Sequence, residues 1–270
     1  MLNRPFSGRA TLCVAAAFLF AAPAALGQEV VRDDDWCDDH GDRDRGWACE
    51  VREYTLGALD DVRVDASPNG GISVEGWDRN EILVRARVTA RADTDSEAQG
   101  ILSQVEVSAG ATISSDGPRM DRDESWSVSF KVYAPRNTDL SLRTTNGGIG
   151  IKQVAGDIDF RTTNGGVKLD GVAGDVSGST TNGGVRVVLT GSEWQGAGLD
   201  VRTTNGGVRI MIPEGYNARL ETGTTNGGLR FDFPVTVQGR IDRNLNVDLG
   251  SGGQLIRART TNGGVVVQRS

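Results

Sequence analysis

The five-letter word Thr-Thr-Asn-Gly-Gly occurs six times in this chain, at 144–148, 162–166, 180–184, 203–207, 224–228 and 260–264. Its first residues are spaced by 18, 18, 23, 21 and 36 positions, the last interval being twice the first. A word that returns at a near-fixed interval marks stacked structural units, none of which can bury its apolar side chains alone. Columns counted from Asp139 show how each unit is built. Positions 2 and 4 are apolar in Leu140/Leu142, Ile158/Phe160, Leu199/Val201 and Ile256/Ala258. So are positions 11 and 13, in Ile149/Ile151, Val167/Leu169, Val185/Val187, Val208/Ile210, Leu229/Phe231 and Val265/Val267. Every-second spacing is the period of a strand with one buried face.

Each coil therefore predicts two short strands and a corner at Asn-Gly-Gly, residues that tolerate positive φ. A second corner falls near Val154-Ala155-Gly156. The expected fold is all-β, a single-stranded parallel β-helix or solenoid of coils of about 18 residues. It winds right-handed, as parallel crossovers overwhelmingly do. Coils stacked about 4.8 Å apart line up equivalent letters. Asn146, Asn164, Asn182, Asn205, Asn226 and Asn262 should form an amide ladder in that chain order. Val265–Val267 would then be a bare terminal rung open to edge pairing. Three hexapeptides per coil, the left-handed alternative, do not fit, because the apolar columns do not step by six.

Upstream the pattern loosens. Val62 to Trp77 reads as a degenerate first coil in which Ser67-Pro68-Asn69-Gly70-Gly71 replaces the corner word. Ile82 to Thr89 alternates like a strand, and Thr94-Asp95-Ser96-Glu97 is a capping-box sequence. After it Ala98, Ile101, Leu102 and Val105 share one helical face, which predicts the chain's one short helix, placed to cover the open end of the stack. Val105–Ile113 and Trp126–Tyr133 read as further strands. The organisation is thus a leader at 1–27, an acidic arm at 28–50, N-terminal strands plus helix at 51–138, and regular coils at 139–270.

The leader has Arg4 and Arg9, an apolar run from Ala10 to Ala22, and Ala25-Leu26-Gly27 as a small-residue cleavage site, the pattern of an export signal. The run is too short for the roughly 20 apolar residues of a membrane span, so no spanning segment is expected. Without the leader's two arginines the 29 bases fall to 27 against 36 acids, a net charge of −9. That balance argues against a nucleic-acid partner. Cys37 and Cys49 remain as an isolated pair, which in an exported chain reads as a disulfide. With His40 they fall one ligand short of a zinc site. Asp33, Asp34, Asp35, Asp38, Asp39, Asp42 and Asp44 make the arm acidic, but Gly41 and Gly46 are out of register for a calcium loop. No metal and no cofactor is expected.

An exported chain with Cys49-Glu-Val-Arg-Glu53, an Asn-Gly-Gly first coil and serial Thr-Thr-Asn-Gly-Gly coils resembles the bacterial putative-adhesin family of β-strand-repeat proteins, a domain of unknown function. The resemblance runs from about Cys49 to the C-terminus. It implies an envelope or surface protein with a β-helical body, periplasmic, surface-bound or secreted, and it brings no catalytic residues.

Two chemistries remain to be weighed. Column 12 points outward and carries Lys168, Arg186, Arg209 and Arg230 without an acid. Like charges on adjacent strands repel, so such a column suits an anionic polysaccharide or another anionic envelope component. Neutralisation by the acidic arm, or simple solvation, is the plainer explanation of the same stripe. The alternative function is a polysaccharide-cleaving enzyme using carboxylates on neighbouring rungs, with Asp157 and Asp175 as a pair about 5 Å apart and Asp159 beside them as a further candidate. Because these acids recur with the coil they read better as turn residues, and the expectation is a non-catalytic scaffold or adhesin.

Overall fold

A computed structural model describes residues 27–31, 34–37, 45–232 and 243–270. Apart from Gly27, the leader lies outside the described residues, as do Asp33, Asp38, Asp39, His40, Asp42 and Asp44 of the arm. The N-terminal part contains β1 (Gly27–Val31), α1 (Asp34–Cys37), β2 (Gly46–Gly57), β3 (Asp61–Asp65), β4 (Ile72–Trp77), β5 (Glu81–Ala92), α2 (Asp95–Leu102), β6 (Glu106–Ser108), β7 (Thr112–Asp116) and β8 (Ser125–Pro135). The coils follow as pairs: β9 (Asp139–Asn146) with β10 (Ile149–Lys152), β11 (Ala155–Asn164) with β12 (Val167–Asp170), and β13 (Ala173–Asn182) with β14 (Val185–Val188). Next come β15 (Gly198–Asn205) with β16 (Val208–Ile212), and β17 (Ala218–Asn226) with β18 (Leu229–Phe231). After β19 (Asn244–Leu249), β20 (Leu255–Asn262) pairs off with β21 (Val265–Arg269).

The strands form two long sheets. One is 11-stranded in the order β1-β2-β5-β8-β4-β10-β12-β14-β16-β21-β18. The other is 10-stranded in the order β19-β17-β20-β15-β13-β11-β9-β3-β7-β6. Each coil gives one strand to each sheet, and the chain crosses between them at Asn-Gly-Gly. Within the coil array the pairings are parallel and in register, for example Ile158↔Leu140 and Val167↔Val185. The N-terminal end is antiparallel instead, β2 and β8 flanking β5, so the large sheet is mixed. Long hydrophobic strands at that end make the difference: β5 alternates buried and partly exposed residues over 12 positions, too long for a coil side.

Between the sheets lies one continuous apolar core that includes Leu140, Ile158, Val176, Leu199 and Ile256 from the smaller sheet. Ile149, Val167, Val185, Val208 and Val265 face them from the larger one. Volumes compensate from rung to rung. A Cβ at Gly178 would lie 2.5 Å from the ring of Phe160 on the neighbouring rung, so the large ring fills the space that the glycine leaves. Helix α2 has the expected capping box at Thr94 and Glu97 and buries Ala98, Ile101 and Leu102 against β2 and β5. Arg52, facing inward from β2, donates to the carbonyls of Leu102 (3.2 Å) and Val105, which ties the helix end to the sheet.

The rungs do not stack in chain order. β20 lies between β15 and β17, and β21 between β16 and β18, so the last coil of the chain is an inner rung. The physical cause is at β17, whose outer edge is taken by the antiparallel strand β19. Only its inner edge is left for a parallel partner, and the returning chain fills that slot. Val265–Val267 is therefore not a bare end, and among the described residues the edges there are β18 and β19. The N-terminal end shows the same arrangement: β3 lies between β7 and β9, and β4 between β8 and β10.

The extra residues between coils also enter the core. Trp194 is buried and its Nε1 donates to the Gly174 carbonyl at 2.9 Å. Tyr216 is buried in the connection that steps over one rung to β17, and this burial pushes its hydroxyl pKa up to about 12.

Candidate functional site

The corner word gives every rung the same local chemistry. The first Thr of each word is buried, and its hydroxyl donates to the first Gly carbonyl of the adjacent rung. Thr162 bonds Gly147 at 2.8 Å, Thr180 bonds Gly165 at 2.7 Å and Thr203 bonds Gly183 at 2.7 Å. The following Asn points out and donates from Nδ2 to the Oδ1 of its neighbour. The resulting ladder runs Asn69-Asn146-Asn164-Asn182-Asn205-Asn262-Asn226 with links of 2.7–2.9 Å. It takes in Asn69 of the degenerate coil, and Asn262 precedes Asn226, which corrects the chain-order expectation. The glycines also have a different reason from the one expected. Gly147, Gly165 and Gly183 are not left-handed; a Cβ on any of them would lie 1.9–2.0 Å from a carbonyl oxygen of the next rung. Close approach of two backbones excludes every side chain there.

On the outer face of the 11-stranded sheet, beyond a strip of exposed second glycines, runs the basic column. Lys168, Arg186 and Arg209 are direct neighbours on β12, β14 and β16. All three are exposed, and none has a carboxylate partner among the described residues. Arg186 Nη2 lies 3.1 Å from the Met211 sulfur. Arg230 is separated from them because Val266 of the inserted coil occupies the intervening position, and it pairs with Asp232 at 3.4 Å. The expected column of four is thus three contiguous cations and one detached ion pair. A shallow groove of about 430 Å³ follows Gly166, Gly184 and Gly207 beside Arg186 and Arg209.

The outer face of the 10-stranded sheet carries the acids. Asp61, Asp139, Asp157 and Asp175 form one column across β3, β9, β11 and β13. The first three line a concavity of about 650 Å³ that also includes Asp159. Asp139 Oδ1 accepts the Asp157 backbone N–H at 2.7 Å, which is the work of a turn carboxylate, and Asp159 accepts from Ser177 Oγ at 3.3 Å. Further along, Arg257 joins Glu221 at 2.9 Å and Asp200 at 3.2 Å, and the two carboxylates push its pKa up. Arg202 pairs with Asp200 at 3.5 Å. Arg202, Asp200, Arg257 and Glu221 are thus mutually paired on this face, whereas Lys168, Arg186 and Arg209 on the other have no such carboxylates among the described residues.

Cys37 and Cys49 form a disulfide that pins α1 onto the outer face of β2. It places the Trp36 ring 5.7 Å from the guanidinium carbons of both Arg85 and Arg87. Among the described residues no group of three or more His, Cys, Asp or Glu could hold a metal ion, and His40 lies outside them. No helix of the described residues is long and apolar enough to cross a membrane. Sequence reasoning missed the arginines of β5. The signal was present: Arg85, Arg87 and Arg91 occupy one parity of a strand whose other parity is Ile82, Val84, Ala86, Val88 and Ala90.

These features define a two-sheet β-solenoid whose corners are built by repeated Thr-Thr-Asn-Gly-Gly words. Residues 56–268 match the model of the Toastrack DUF4097 family, and the chain belongs to that family. Among solved structures it is similar to a putative cell adhesion protein from Clostridium sporogenes, at 6% identity and a TM-score of 0.45, over 84% of this chain and 100% of that one. A putative adhesin from Bacteroides fragilis matches at 9% identity and a TM-score of 0.40, over 83% and 97%. A putative lipid binding protein from Parabacteroides distasonis matches at 10% identity and a TM-score of 0.22, over 82% and 96%. No curated protein sequence matches the chain.

Proposed function

We propose that this protein is an exported, non-catalytic β-solenoid of the bacterial envelope that binds an anionic polysaccharide or another anionic envelope polymer along Lys168, Arg186 and Arg209. Adhesin-like recognition is the sharper form of that reading. The observation that carries it is the column itself: three exposed cations on adjacent strands, in register, with no carboxylate partner among the described residues. Stacked like charges repel, and a polymer with regularly spaced anions relieves that repulsion. The neighbouring glycine strip lets a chain lie close to the backbone. Export is supported by the pattern of the leader and by the Cys37–Cys49 disulfide, which needs an oxidising compartment.

Exposed charges are screened within about 8 Å at physiological ionic strength, so binding should weaken steeply as salt rises. Retention on immobilised acidic polysaccharide, measured across a salt series, tests the reading. Lys168→Glu combined with Arg209→Glu should abolish retention at low salt, and unchanged retention would end the proposal. Incubation with acidic and neutral polysaccharides tests the non-catalytic part, because new reducing ends or unsaturated products would overturn it.

A further inference from the structure

A second basic surface lies on the same sheet, three strands from the column, where β8, β5 and β2 follow one another. Arg87, Thr89 and Arg91 alternate along β5 on its outer face, with Trp47 beside Arg91 on β2 and Ser127 beside Thr89 on β8. Together with Asn69 they line a groove of about 320 Å³, within the range of small-ligand sites.

The two arginines are held in an unusual way. Arg85, next along the strand, is neutralised by Glu53, but Arg87 and Arg91 have no carboxylate partner among the described residues. Each is instead held near an indole: Arg91 lies 5.1 Å from the centre of Trp47, and Arg87 lies 5.7 Å from that of Trp36. Arg87 Nη1 also donates to the Trp36 carbonyl at 2.8 Å, while its Nε is shut off from solvent without a partner. At Arg91 the indole contact leaves the in-plane N–H donors uncommitted to any carboxylate among the described residues, whereas Arg87 has already given Nη1 to the Trp36 carbonyl. That arrangement prepares a planar fork for an oxyanion, and it does so without an internal anion to displace. Between the two arginines the Thr89 and Ser127 hydroxyls are 2.8 Å apart, a donor–acceptor pair that can exchange its mutual bond for bonds to ligand hydroxyls.

We infer that this groove binds a hydroxylated anionic ring: a sugar unit carrying a carboxylate or a phosphate. The arginines take the anionic group, the Thr89–Ser127 pair takes ring hydroxyls, and the disulfide has a role in holding Trp36 behind Arg87. The inference does not depend on the column of Lys168, Arg186 and Arg209, and the two can fail separately.

Titration calorimetry of the full-length exported protein at low ionic strength tests it, with glucuronate, glucose 6-phosphate, inorganic phosphate and glucose as probes. At least one anionic sugar should bind, the two arms separating a carboxylate from a phosphate source, and glucose should not. Arg87→Gln with Arg91→Gln should weaken binding roughly tenfold to a hundredfold, the worth of one or two charge-assisted hydrogen bonds. Arg91→Lys, which keeps the charge and is the milder change for folding, should still weaken it because the planar fork is lost. Lys168→Glu with Arg209→Glu should leave it unchanged. The inference is overturned if neither anionic sugar binds, if glucose binds as well as they do, or if inorganic phosphate binds as tightly as glucose 6-phosphate. Full affinity in the Arg87→Gln/Arg91→Gln or Arg91→Lys protein would overturn it too, as would lost affinity in the column variant.

Discussion

Replacing Thr204 and Thr261 with cysteine should create a new disulfide, whereas replacing Thr204 and Thr225 should not. All three side chains are exposed second threonines of the corner word, so neither pair disturbs the core. Thr261 lies on the rung next to Thr204, as the pairs Thr203↔Thr260 and Asn205↔Asn262 require. Thr225 lies one rung further out, beyond β20. Adjacent strands are about 4.8 Å apart and the second rung about twice that, roughly 10 Å. A disulfide needs Cα atoms within about 7 Å, so geometry admits the first pair and excludes the second. Chain-order stacking would make the opposite prediction, since Thr225 would then be the neighbour. Mild oxidation followed by peptide mapping under non-reducing conditions reads the outcome directly. The new bond also closes a long loop, Asn205 and Asn262 being 57 positions apart. Chain entropy alone then stabilises the fold by about 4 kcal/mol at most, visible as a higher unfolding temperature. Efficient cross-linking in the Thr204→Cys/Thr225→Cys protein, with none in the Thr204→Cys/Thr261→Cys protein, would refute the inserted-coil topology.

Three further outcomes follow from the corner and the core. Gly183→Ala places a Cβ 2.0 Å from the Gly165 carbonyl oxygen and should cost about 3 kcal/mol or more, while Gly184→Ala, at 3.3 Å from the Gly207 carbonyl oxygen, should cost clearly less in denaturant unfolding. Thr180→Val keeps the shape but leaves the Gly165 carbonyl without its 2.7 Å bond, so about 1–2 kcal/mol should be lost, against about 0.5 kcal/mol or less for the exposed Thr181→Val. Tyr216 titrates at about 12 in the folded protein against an ordinary value of 10.0. The folded state therefore holds this proton more tightly, and stability present below pH 10 should be lost between about pH 10 and 12, by about 2–3 kcal/mol. Tyr216→Phe should remove that part of the alkaline loss in unfolding curves measured across this range.

Much of this fold could be read from letters because the corner word states its own environment. A Thr that must be buried with its hydroxyl satisfied, an Asn that must repeat to be bonded, and a Gly that no side chain can replace together fix the columns. Asn69, outside any intact word, still joins the ladder because Ser67-Pro68-Asn69-Gly70-Gly71 keeps the last three letters. The order of the rungs could not be read in the same way. Every word offers the same donors and acceptors, so Asn205 bonds Asn262 as well as it would bond Asn226. The ladder specifies register along a strand and is silent about which strand comes next. The candidate basic column was legible to the same degree: Lys168, Arg186 and Arg209 fell into one column, and the separation of Arg230 by Val266 depended on rung order.

What decides rung order is outside the words, in the segments that break the period. At the C-terminal end the antiparallel strand β19 occupies the outer edge of β17, so the remaining coil can only enter on the inner side. That insertion makes β17 and β18 dependents of the last coil, since among the described residues no other coil pairs with them. At the N-terminal end β8 holds the antiparallel strand β5 on one side and β4 on the other, and the first coil is again enclosed by residues that follow it in the chain. In a simple solenoid the ends are the weakest rungs and the open edges of the sheets. Here sheet edges remain at β18 and β19 among the described residues, but long-range pairing between segments distant in sequence couples the terminal rungs to the body. The irregular stretches of the sequence are thus the parts that decide which rung neighbours which in an otherwise interchangeable repeat.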